Sequence, residues 1–253
     1  MSNKETICFL AVAIGEKHEN FIVCHTISVL ETIPDSFVEI IVRNKVSVEK
    51  RLEKEINILR KFYGDKFTIR ETVITTLNII PNTIRFIEEP LHKCDYTFIS
   101  EIDVLILDLN LLQSRKKWMT KYNLCYSNIK RKDLNMLTGG RHCVKTKEYY
   151  NNKWKEYVKN NSSRGNDEIF LFSLCKIYGD YPNIDLIDNS LISCHGFHLS
   201  LNREPSKFNW VVNRNFFPQY DKLVNLCSWK EYIEVANIEM RRILNTLNQI
   251  RNS

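Results

Sequence analysis

Cys94-Asp-Tyr-Thr-Phe-Ile-Ser-Glu101-Ile-Asp103-Val-Leu-Ile-Leu-Asp108 is the stretch that decides how the chain reads. Two apolar runs, Tyr96 to Ile99 and Val104 to Leu107, flank a pair of carboxylates. A strand that crosses a core, breaks at its end and resumes beyond has this pattern. Residues two apart on extended chain point the same way, so Glu101 and Asp103 can aim at one point while Ile102 anchors behind them. Two hard oxygen ligands converging at a strand end suit Mg²⁺ or Mn²⁺, ions that substrate phosphates help to hold. An exposed acidic turn between two strands fits the same residues, and the surrounding chain has to discriminate.

On the N-terminal side, Ile7 to Ile14 is a continuous apolar run that stops at Gly15, as a strand buried on both faces does. A helix is predicted over Asn20 to Glu31, closing before Pro34, and a second buried strand over Phe37 to Val42. From Ser47, the residues Val48, Leu52, Ile56, Leu59 and Tyr63 fall at helical spacing, with Gly64 as a stop signal. Phe67 to Ile74 reads as a third strand. This alternation argues for a right-handed βαβ sheet with helices on both faces. Thr83 to Glu89, inside a proline-punctuated segment, reads as a short helix presenting Arg85.

Beyond Leu112 the pattern becomes more antiparallel. Short strands are predicted at Leu124 to Ser127, Met136 to Gly139, Ile184 to Ile187 and Leu191 to Cys194. Helices are predicted over Tyr149 to Lys159, Asp167 to Tyr178 and, as one long amphipathic element, Trp229 to Ile250. Leu199 to Asn225 has little periodicity. With no repeat and no low-complexity linker, a single domain over 1–253 is expected. Residues 1–112 would form its nucleotide-binding half, 113–225 its acceptor-binding half and 226–253 the C-terminal helix.

The 253 residues are 43% hydrophobic with a net charge of +6, the basic residues being dispersed. That balance suits anionic small substrates or peripheral contact with an anionic membrane, and it excludes the dense basic stripe of a dedicated nucleic-acid binder. The eight cysteines include no Cys-x-x-Cys and no Cys/His cluster, which argues against structural zinc. Free thiols in apolar runs (Cys8, Cys24, Cys175, Cys194) fit a reducing, cytosolic setting. The Ile7–Ile14 run is too short to span a bilayer and lacks a cleavage pattern, so no signal peptide is expected. Oligomeric state is not legible.

Four features follow in order: Ala13-Ile14-Gly15 at a strand end; Glu101-Ile102-Asp103; Gly139-Gly140 ahead of Asn166-Asp167-Glu168, which opens a buried helix; and His195-Gly196-Phe197-His198. This order resembles the retaining glycosyltransferases of the GT-A fold, the group that includes glycogenin, the lipopolysaccharide galactosyltransferases and the blood-group A/B transferases. The resemblance covers the layout of roughly residues 5–200. It implies an α/β, Rossmann-type mixed sheet flanked by helices, ending in a long C-terminal helix. It further implies Mn²⁺ or Mg²⁺ held by Glu101 and Asp103, completed by His195 or, alternatively, His198. Ala13, Arg85, Glu101, Gly139 and Gly140 take donor-binding positions, Asp167 and Glu168 the catalytic centre, and Asn166 and His198 acceptor contacts. The pattern departs from the family where Glu101 replaces Asp and where no Lys-Pro-Trp follows the histidine and glycine.

The chemistry agrees with that placement. Breaking a sugar–phosphate bond puts negative charge on the departing diphosphate, which a divalent ion stabilises. Positive charge develops on the sugar, which a carboxylate stabilises unless it instead deprotonates the acceptor. The expectation is a hexosyltransferase using a uridine-linked nucleotide sugar and a glycan or lipid-linked acceptor, in bacterial surface polysaccharide synthesis. A nucleotidyltransferase is the second reading, disfavoured because no Gly-x-Gly follows Gly15; a catalytically silent binding or scaffold protein is the third. Duller explanations compete for single residues: helix-dipole acids for Asp167 and Glu168, a core histidine for His195, a turn for Gly139-Gly140 and a surface ion pair for Arg85.

Overall fold

The computed structural model describes residues 5–74, 80–131, 135–161, 166–182, 195–199 and 211–252. In chain order the elements begin with β1 (Ile7–Ala13), α1 (Glu16–Glu19), α2 (Ile22–Thr32), β2 (Ser36–Val42), α3 (Lys45–Arg51), α4 (Glu53–Tyr63) and β3 (Phe67–Glu71). Next come α5 (Pro81–Ile87), β4 (Tyr96–Ser100), β5 (Val104–Ile106), α6 (Leu111–Tyr122), β6 (Tyr126–Ser127) and β7 (Arg141–Lys145). Then follow α7 (Thr146–Tyr149), α8 (Asn152–Asn160), α9 (Asp167–Cys175), β8 (Gly196–His198) and β9 (Val211–Val212), and finally α10 (Phe217–Val224), α11 (Cys227–Val235) and α12 (Ile238–Asn252). The central sheet has six strands in the order β3-β2-β1-β4-β7-β6, and a three-stranded sheet has the order β5-β8-β9. The architecture is mixed α/β, as expected, and ends in a helix. Among the described residues no helix is long and apolar enough to cross a membrane. The strands expected at 184–187 and 191–194 lie outside the described residues.

Two compact units divide the chain, and neither is continuous in sequence. The first draws on 1–12, 72–101 and 110–193. Here β1 pairs in parallel with β4, with Phe9 opposite Phe98 and Ala11 opposite Ser100, and β7 pairs antiparallel on the other side of β4. All seven β1 residues and all five β4 residues are buried, which is why β1 reads as an unbroken apolar run and β4 holds only apolar, aromatic and small hydroxyl residues. Phe9 and Phe98 meet at 5.2 Å between centroids, a cross-strand aromatic pair.

The second unit draws on 13–71, 102–109 and 194–253. β2 and β3 pair in parallel, and α2 packs on β5. Three polar residues on one face of α2 satisfy the backbone of that short strand. His25 Nδ1 lies 2.7 Å from Val104 O, Thr32 Oγ1 donates to Ile106 O at 2.9 Å, and Ser28 Oγ accepts from Ile106 N–H at 3.0 Å. Spacings of three and four residues place all three on one side of a helix. The helix expected from Ser47 is broken at Leu52 (φ −105°, ψ 26°), and the long C-terminal helix is broken at Ala236–Asn237.

His25 has to donate from Nδ1 to a carbonyl, so its bare Nε2 is buried without a hydrogen-bond partner. Burial pushes its pKa down to about 4. In the other unit, burial followed by the charge of Arg115 pushes His142 down to about 3. Both groups bind a proton more readily unfolded, near 6.5, than folded. Stability is therefore fully present above pH 6.5 and is lost as pH falls toward 4. We expect on the order of 2 kcal/mol lost per histidine by pH 5, read as a lower urea midpoint at pH 5 than at pH 8. His25→Asn and His142→Asn should each flatten the profile.

Candidate active site

β4 delivers Glu101 at its end. Ile102, 3% exposed, is the apolar anchor between the two acids, and the chain turns there before β5 begins at Val104. Asp103 and His198 stand together in the second unit, and Glu101 lies two residues before Asp103 in the chain. His198 arrives through β8. Val104 pairs with His198 across the β5–β8 ladder, and Leu199 N–H donates to Asp103 O at 2.8 Å. Gly196 makes that ladder possible, because a Cβ there would sit 1.8 Å from Leu105 O. His198 Nε2 lies 3.4 Å from Asp103 Oδ1. Burial raises the Asp103 pKa, but the hydrogen bond and charge of His198 outweigh it, His18 adds a smaller favourable charge, and the carboxyl ends below its ordinary value. Nothing in the sequence had marked His18.

His195 is placed differently. It is 2% exposed, its Nδ1 lies 2.7 Å from Asp108 Oδ2, and its carbonyl accepts from Leu107 N–H and Asp108 N–H. It straps the far end of β5, and it does not stand with Glu101 and Asp103. Ala13 closes β1, fully buried.

A second cluster lies in the first unit. Arg85, on α5, is 3% exposed; its Nη1 donates to Ser100 O at 3.2 Å and its Nη2 lies 3.1 Å from Asp167 Oδ2 and 3.8 Å from Glu101 Oε1. One buried guanidinium thus ties the end of β4 to the start of α9. Gly139 lies against it, and Gly140 lies against Glu101. A Cβ on Gly139 would meet Arg85 Nη2 at 2.6 Å, and one on Gly140 would meet the Glu101 carboxylate at 2.4 Å. The pair is required for close approach, beyond any role as a turn. Gly140→Ala is expected to swing Glu101 off its present rotamer with little loss of stability, because a flexible carboxylate can move where a backbone cannot. Mn²⁺ affinity should fall by about 10-fold, read by calorimetry beside an unchanged melting temperature.

Asn166 caps α9: its Oδ1 accepts from Glu168 N–H at 2.8 Å and Ile169 N–H at 3.4 Å. Asp167 and Glu168 thus occupy the first turn, where the helix dipole favours acids, yet both have further partners. Glu168 forms a two-pronged pair with Arg131, Nε to Oε2 and Nη2 to Oε1, both at 2.5 Å, and it accepts from Gly139 N–H at 3.3 Å. Nothing in the sequence had marked Arg131; three acids in one region would have called for such a counter-charge.

The donor set of two carboxylates and one imidazole fits Mn²⁺ and, with less nitrogen preference, Mg²⁺. Three protein ligands leave coordination positions for phosphate oxygens.

No protein-family description matches the chain, and no curated protein matches it by sequence. Solved structures do. An active-site mutant of LgtC is similar at 16% identity and a TM-score of 0.44, over 67% of this chain and 70% of that one. The glycosyltransferase GlyE of Streptococcus pneumoniae TIGR4 is similar at 9% identity and a TM-score of 0.46, over 71% of this chain but only 45% of that one. The mannosyltransferase PcManGT from Pyrobaculum calidifontis, in complex with GDP-Man and Mn²⁺, is similar at 9% identity and a TM-score of 0.48, over 100% of this chain and 82% of that one. These three solved structures are glycosyltransferases.

Proposed function

We propose that this chain is a metal-dependent hexosyltransferase that moves a sugar from a nucleotide diphosphate, uridine-linked, to a glycan or lipid-linked acceptor. The observation that carries the reading is His198 Nε2 at 3.4 Å from Asp103 Oδ1, with Glu101 two residues before Asp103 in the chain. Such a set, open to phosphate oxygens, is what a divalent ion on a diphosphate needs. When bound, the ion neutralises charge building on the departing diphosphate.

The chain's own residues supply the rest. Arg85 holds Glu101 and Asp167 in register and limits their mutual repulsion. The bare Gly139–Gly140 backbone lets the Arg85 and Glu101 side chains lie close against it. Glu168, oriented by Arg131 and by Gly139 N–H, is the carboxylate next to the anomeric carbon in a retaining enzyme, or the general base toward the acceptor in an inverting one. Asp167 supports it, and Asn166 fixes the turn that presents both. Retention is the preferred version. Ala13 takes the donor-base position at the end of β1. His195 acts on the ion only through the strand it straps to Asp108. A cytoplasmic setting and a part in surface polysaccharide synthesis belong to the same proposal, with peripheral membrane contact as an option for the basic face of α12.

Calorimetry with uridine diphosphate, with and without Mn²⁺, tests the reading. Binding that needs the metal supports it. Absence of binding under both conditions replaces it with a catalytically silent protein of the same fold.

A further inference from the structure

Beyond Glu168, α9 carries a feature that the transferase chemistry leaves unused. Residues 168, 172 and 176 are four apart, so they line one side of the helix over two turns, about 12 Å. Phe172, mostly buried, has two ammonium groups at its ring: Lys130 Nζ at 5.4 Å and Lys176 Nζ at 5.0 Å from the centroid. Both lie within cation–π range. Among the described residues neither lysine has a carboxylate partner, whereas the neighbouring Arg131 is fully engaged by Glu168.

Backbone and tyrosine hydrogen bonds hold the strip in place. Lys130 lies in a bridge opposite Leu137, and its N–H donates to the Tyr181 hydroxyl at 3.1 Å. That hydroxyl donates to Asn128 O at 2.9 Å, and Leu137 N–H donates to Glu168 O at 3.2 Å. The bridge that carries Lys130 is thus tied to the first turn of α9. Two like charges beside one ring repel each other, and an anion placed between them relieves that repulsion.

We infer that Lys130 and Lys176 form an anion subsite for the acceptor, one that takes a phosphate ester about one to two helical turns from the hydroxyl that reacts at Glu168. The inference rests on the proposed function for the identity of the acceptor, but not for the binding itself. A donor diphosphate belongs with the carboxylate and imidazole set, so the lysines have a different anion to hold. Both phosphorylated glycans and prenyl-linked diphosphates carry the required group.

The test is a ³¹P-detected titration of the full chain in EDTA, without nucleotide, with glucose 1-phosphate in one arm and farnesyl diphosphate in the other. Glucose, followed by competition, is the neutral control. A saturable shift that weakens with salt is expected in at least one arm, and the tighter arm names the source of the phosphate. The double variant Lys130→Met, Lys176→Met keeps the apolar stems over Phe172 and removes the charges; it should bind at least 10-fold more weakly with an unchanged circular dichroism spectrum. Asp103→Ala should bind as wild type. Equal binding by wild type and the double methionine variant, no saturable shift in either arm, or loss of binding in Asp103→Ala would each overturn the inference. Because this readout contains neither metal nor nucleotide, it can fail while metal-dependent binding of uridine diphosphate holds, and the reverse.

Discussion

Alanine in place of Asp103 is expected to abolish the metal-dependent part of uridine diphosphate binding, a loss of at least about 100-fold in affinity in Mn²⁺ buffer. Asp103 is the member of the set with the most to lose. It is the more buried of the two acids, 14% exposed against 32% for Glu101, and it faces His198 directly. Without it, one carboxylate and one imidazole remain, too few to hold a hard cation against water. The fold should tolerate the change. The backbone carbonyl of residue 103 still accepts from Leu199 N–H, and removing a buried carboxylate also removes its desolvation cost. The two histidines provide the matching contrast. His198→Ala should weaken Mn²⁺ binding, whereas His195→Ala should lower the melting temperature, since it removes the side-chain bond to Asp108, with a smaller effect on the metal. Wild-type Mn²⁺ dependence in Asp103→Ala would remove Asp103 from the metal site.

That contrast marks where sequence reasoning ran out. Residues 195 and 198 are three apart, so on extended chain they face opposite ways, and the two cannot serve one ion together. Which of them turns toward Asp103 depends on the β5–β8 register, and that register is set by Gly196 against Leu105 O. Nothing local to His195-Gly196-Phe197-His198 encodes it. The strand ends were legible because both sides of β1 and β4 are buried and every residue there is apolar or small. Two elements with a polar residue in the core were missed. α6 buries Leu111, Arg115, Trp118 and Met119 at helical spacing, but an arginine in that row hides the stripe. β7 buries His142 between its ends in the same way. The break before α12 had a readable sign: Asn237 accepts from Met240 N–H at 2.9 Å, as a helix N-cap does. Leu52 carries no such sign, since neither glycine nor proline stands there and only its dihedrals mark the kink.

Glu168→Gln should separate binding from turnover. Glutamine keeps the size of the side chain, and its carbonyl oxygen can still accept from Gly139 N–H; it removes the negative charge that Arg131 grips from two sides. If Glu168 lies beside the anomeric carbon, that charge does its work only as positive charge develops on the sugar. Binding of uridine diphosphate with Mn²⁺ should then stay within about 2-fold of wild type, while turnover falls by roughly 10²–10⁴-fold. Arg131→Met distinguishes the ion pair from the carboxylate. A guanidinium on both oxygens orients Glu168 but also draws down the charge it can offer, so its removal should cost orientation while leaving the carboxylate in place. We expect a decrease smaller than that of Glu168→Gln, with kcat affected more than KM. If instead Glu168→Gln turns over as wild type while Arg131→Met unfolds at lower temperature, the pair is a clamp between the chain at Arg131 and α9, and the reacting carboxylate must be sought in Asp167, which Arg85 already holds at 3.1 Å.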